Sequence, residues 1–92
     1  MNIKIKKISL LINKALVNVE KEIDMHKKGL KADATISELK IIKNELTLMK
    51  KYMSPSKYVP IYNFMIRDSW NKYNHLGEDL LKVANEYKEK LL

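Results

Sequence analysis

Apolar residues in this chain recur at steps of three and four along most of its length. Only two glycines and two prolines interrupt them. That spacing puts the apolar side chains on one stripe of a helix and cannot sit in a strand, whose period is two. The first stripe is Ile5, Ile8, Ile12, Ala15, Val19 and Ile23, and it predicts a helix from about residue 3 to 28. The second, Leu39, Ile42, Leu46, Met49 and Met53, predicts a helix from about 36 to 53. The third, Trp70, Tyr73, Gly77, Leu80, Ala84, Tyr87 and Leu91, predicts a helix over about 69–91, starting at Ser69 or Asn74. Gly77 should weaken its middle by about 1 kcal/mol against alanine.

The punctuation agrees. Gly29 follows Lys27 and Lys28 and precedes Leu30, the pattern of a left-handed helix stop with an apolar contact behind it. Thr35 and Glu38 have the spacing of a capping box. Ser54-Pro55-Ser56 ends the second helix, and Pro60 keeps residue 59 extended. Asp68-Ser69 reads as a helix N-cap. Residues 57–68, inside an aromatic connector over 54–68, mix aromatic and β-branched types and fit either a short helix or an extended segment. The expected fold is all-α. It is a single domain over 1–92, a small three- or four-helix bundle built on a long N-terminal antiparallel helical hairpin. In that hairpin Ile12 or Ala15 should face Leu46, and Ile23 should face Leu39.

Ninety-two residues leave room for one core. There is no cysteine, so disulfides and thiolate zinc sites are excluded. No apolar run approaches the roughly 20 residues that span a bilayer. The opening lysines and apolar patch are interrupted by Asn13 and Lys14 with no small-residue cleavage site after them, so the segment reads as mature sequence. A cytoplasmic protein is the expectation.

The net charge of +7 is uneven. Residues 1–32 carry +5, whereas residues 78–92 carry −1. The basic end should favour anionic partners. The simpler origin is lysine usage in an AT-rich bacterial or phage protein.

The first helix carries a second pattern. Lys7, Lys14, Lys21 and Lys28 recur every seven residues opposite the core stripe, and Leu10 and Val17 fall among them. Ammonium groups interleaved with aliphatics fit three readings. The aliphatics pack beneath the C-terminal helix and the lysines form a rim. The face docks on an acidic protein surface, with aliphatic anchors and lysine steering. Or the face lies on an anionic membrane surface. The expected partner-binding set is Lys7, Leu10, Lys14, Val17, Lys21 and Lys28. Ile41, Leu48 and Tyr52 lie off the main stripe of the second helix, which should therefore be central and touch both neighbours.

Six of the seven aromatics lie between Tyr52 and Tyr73, interleaved with Lys57, Arg67 and Lys72. Such a mixture suits single-stranded nucleic acid, with bases stacked and phosphates neutralised. It equally suits a plug that closes one end of a bundle. Tyr58, Tyr62, Arg67 and Trp70 form this secondary candidate set. Seventeen lysines stand against one arginine. Base-specific readout leans on arginine, so any nucleic-acid binding would be weak, non-specific and salt-dependent.

Catalytic and metal patterns are missing. Glu22 and His26, and His75 and Glu78, are local pairs without a third ligand. Asp68-Ser69 has no histidine near it in sequence. There is no glycine-rich phosphate loop. No cofactor and no enzymatic activity are expected. The leading expectation is a small regulatory or adaptor protein that binds a protein partner, or a second copy of itself as a homodimer. The alternatives are a non-specific nucleic-acid-binding protein and, on size, charge and fold class, a bacteriocin-immunity-type helical bundle.

Overall fold

The structure, a computed structural model, describes residues 3–29, 35–70 and 74–91. It is all-helical in these residues, with four helices: α1 (Ile3–Lys27), α2 (Ile36–Tyr52), α3 (Tyr62–Ser69) and α4 (His75–Lys90). Helix α1 packs on α2 and on α4, and α3 packs on α2 and α4.

The first two helices end as their caps dictate. Gly29 takes φ +82°, in the left-handed region, and its N–H donates to the His26 carbonyl at 3.0 Å. The contact expected from Leu30 lies outside the described residues. The Thr35 side chain accepts from the Glu38 N–H at 3.1 Å, and the Glu38 carboxylate accepts from the Thr35 N–H at 2.9 Å. This is the reciprocal capping box, which satisfies two otherwise orphaned donors. Met53 closes α2 in a left-handed conformation, donating its N–H to the Met49 carbonyl at 2.8 Å. Glu20 pairs with Lys43 across the α1–α2 seam. Each lies seven residues from the turn-side end of its helix, as an antiparallel hairpin requires. Ile12, Ala15, Ile23, Leu39 and Leu46 share one buried core with Trp70, Leu80, Ala84 and Tyr87.

Of the two starts expected for the last helix, Asn74 holds and Ser69 does not. Ser69 ends α3 rather than capping a helix, and Trp70 is extended (φ −91°, ψ 152°). Asn74 then caps α4, accepting from the Gly77 N–H at 2.9 Å. The stripe from Trp70 persists because it is completed through space. A Cβ at Gly77 would lie 3.2 Å from Trp70 Cε3 and 3.3 Å from Ile66 Cγ2. Glycine in the first turn of α4 thus lets α3 and the Trp70 ring come close. The aromatic connector is likewise divided, with Tyr62–Ser69 helical and residues 57–61 not.

Helix α2 does touch two neighbours, α1 and α3, but the residues off its main stripe are not what those contacts cover. Ile41 is 52% exposed, Tyr52 is exposed and Leu48 is only partly covered. The helices pack in a circle in which each has two neighbours, and α1 lies between α2 and α4.

Candidate functional site

A groove of about 570 Å³ runs between the N-terminal half of α1 and the C-terminal half of α4. From α1, Ile8 and Leu11 form its floor, Leu10 its lip, and Lys4, Lys7 and Lys14 its rim. From α4 come Lys82, Glu86 and Lys90, four residues apart and so on one helix face. Five ammonium groups thus stand around an aliphatic floor with one carboxylate among them. At 1.5 Å per residue the α1 wall is about 15 Å long from Lys4 to Lys14. A smaller cleft continues along the same seam, between Lys14, Ala15 and Asn18 of α1 and Asp79, Lys82 and Val83 of α4.

Leu10 is 60% exposed and Val17 53% exposed, so neither packs beneath α4. The structure divides the set read from the lysine repeat. Lys7, Leu10 and Lys14 join the groove. Val17 and Lys21 continue along the exposed side of α1 and Lys28 is exposed in the turn after it, none of them lining the groove. Lys82, Lys90, Lys4 and Leu11 belong to the groove and were not singled out in sequence. The four-residue spacing of Lys82, Glu86 and Lys90 on α4 was visible, but only the packing of α4 on α1 brings the two lysine rows together.

The secondary set does not form an open stacking platform. Tyr62 is 1% exposed and donates its hydroxyl to the Leu80 carbonyl at 2.7 Å. Trp70 is buried against Gly77. Tyr58 donates its hydroxyl to the Glu45 carboxylate. Arg67 alone of the four is exposed. Trp70, Tyr62 and Tyr58 instead meet α4 at Gly77, Leu80 and Tyr87, along its length, where they supply the apolar area that a short chain needs.

Glu45 was not anticipated. It is 5% exposed on α2, and besides Tyr58 it accepts from the Ile61 N–H at 3.0 Å and 3.2 Å. The signal was its register: it lies three residues after Ile42 and four before Met49, on the core stripe. Across the bundle the Tyr87 hydroxyl donates to the Tyr58 carbonyl at 2.9 Å and accepts from the Ser54 N–H at 3.1 Å. Glu45 and Tyr87 thereby hold the connector between α2 and α3 from both sides.

Burial pushes the Tyr58, Tyr62 and Tyr87 phenols above their ordinary value, and the nearby Glu45 carboxylate pushes Tyr58 and Tyr62 further. In the unfolded chain phenols ionise at about pH 10. Ionisation therefore favours the unfolded state, and the stability these groups contribute is full below that pH and lost as pH rises beyond it. In an alkaline titration these three of the five tyrosines should ionise only together with loss of helical circular dichroism. Tyrosinate absorbance saturating at about pH 10 with helix intact would contradict a buried network.

Among the described residues no three His, Cys, Asp or Glu side chains converge as a metal site would require. No helix among them is long and apolar enough to cross a membrane. Compared with known families, with curated proteins and with solved structures, the chain matches none of them.

Proposed function

We propose that this protein acts by binding, capturing a protein partner with an acidic surface on the basic and apolar face of α1. The observation that carries this is the exposure of Leu10 and Val17 between Lys7, Lys14 and Lys21, on a helix whose other stripe is buried. A single exposed aliphatic is ordinary. Two of them a heptad apart, each flanked by lysines, offer desolvation at the centre of a contact and charge at its edge. Arginine's absence from this face argues against base readout, since a lysine presents a point charge rather than a planar fork.

Leu10→Ser/Val17→Ser tests the reading. Stability should change by no more than ~0.5 kcal/mol per site, because neither side chain is packed. Partner capture, followed by cross-linking in cells, should fall. Lys7→Glu/Lys14→Glu/Lys21→Glu should slow association and invert its dependence on salt. A large drop in the melting temperature of the serine pair would sink the reading, since it would make both residues structural. Submicromolar, sequence-selective DNA or RNA binding at physiological salt would replace it with nucleic-acid recognition.

A further inference from the structure

We propose that the groove between α1 and α4 takes an acidic amphipathic α-helix of the partner, laid along the groove with carboxylates on both flanks. This rests on the binding role argued above and names the element recognised. Charge complementarity sets the occupant's sign: lysines stand on both walls, Lys7 and Lys14 on α1 and Lys82 and Lys90 on α4, against Glu86 alone. Their spread along both walls calls for several anions at intervals, not one headgroup. The floor of Ile8 and Leu11 and the lip of Leu10 call for aliphatic side chains between those anions.

The walls decide the occupant's backbone. Both are helices whose N–H and C=O groups, apart from the terminal turns, are already bonded along the helix, so an extended peptide would find no continuous ladder to join. A helix carries its own hydrogen bonds and needs only side-chain packing. Two adjacent helices offer the ridges and grooves on which a further helix seats. A wall of about 15 Å matches about ten residues, or three turns. The site is concave, which disfavours a flat bilayer, and its lining has no aromatic on which a base could stack.

The test uses the full chain and a synthetic peptide of about fifteen residues. The peptide is built from glutamate and leucine, with the leucines on one helix face. A scramble of the same composition spreads them around the helix. The facial peptide should bind more tightly than the scramble and should shift the amide resonances of Leu10, Leu11, Lys82 and Lys90. Lys82→Glu/Lys90→Glu should weaken it by about tenfold or more, with the melting temperature nearly unchanged. The glutamine pair should lose less, and Glu86→Gln should tighten binding. Equal affinity for the scramble, no binding of either peptide, or indifference to the α4 changes overturns the groove. If those changes are silent while Val17→Ser/Lys21→Glu weakens binding, the groove fails and the α1 face still stands. Tighter binding to anionic vesicles or to a single-stranded oligonucleotide than to the facial peptide also overturns it.

Discussion

Glu45→Ala is expected to lower stability by about 3 kcal/mol, measured as the free energy of urea unfolding. The substitution removes the acceptor of both the Tyr58 hydroxyl and the Ile61 N–H in a partly buried setting. An unsatisfied buried donor costs about 1–3 kcal/mol, and the lost side-chain volume adds to that. For a chain of this size the midpoint should fall by well over about 10 °C. Glu45→Gln keeps the volume and one acceptor oxygen and should cost about 1 kcal/mol. Tyr87→Phe touches the other side of the same connector, so Glu45→Ala/Tyr87→Phe should cost measurably less than the two single changes added together. An alanine variant within about 1 kcal/mol of the parent would mean that the connector is held by packing alone.

The second large effect is expected at Gly77. Leucine there should cost about 2–3 kcal/mol, because its branches would enter the space occupied by the Trp70 ring and the Ile66 methyl. Alanine should be nearly neutral. It gains about 1 kcal/mol of helix propensity, and its Cβ displaces both neighbours by a few tenths of an ångström. The single tryptophan of the chain reports the difference directly. The leucine variant should red-shift Trp70 emission as the ring is pushed toward water, and the alanine variant should not. Unchanged emission and stability in Gly77→Leu would show that α3 can move away without cost.

Much of the fold was legible because its determinants are local. The core stripes of α1 and α2 are one-helix patterns, and the Gly29 stop and the Thr35–Glu38 box are closed within a few residues. The angle of Leu10 and Val17 on α1 left their exposure open, since packing beneath the C-terminal helix was an equal reading, and the structure shows them exposed. What was not legible depends on distant partners. Glu45 is satisfied by residues 13 and 16 positions away, so the sequence shows a carboxylate on an apolar stripe and no reason for it. The start of the last helix stayed open between Ser69 and Asn74 because Gly77 and Trp70 are in register along a continuous helix and also meet through space. The second wall of the groove appears only once α4 lies on α1, and its lysines look in sequence like an ordinary solvated face.

The order of packing around the bundle has a kinetic consequence. Helices α1 and α2, α2 and α3, and α3 and α4 are chain neighbours; the α1–α4 seam alone closes the circle. It brings Lys14 beside Lys82, sixty-eight positions away, whereas Glu20 and Lys43 on the hairpin are twenty-three apart. Closing the longer loop from the unfolded chain costs about 1 kcal/mol more in entropy. The seam is therefore expected to form last in refolding and to open first in the native state, as the least protected unit in amide exchange. An occupant gripping both walls would act as a clamp on the slowest step. At a hundred times its Kd it would add about 2.7 kcal/mol to the folded state. Occupancy, more than the bare chain, would then set how long each molecule survives the proteases that sample its open form.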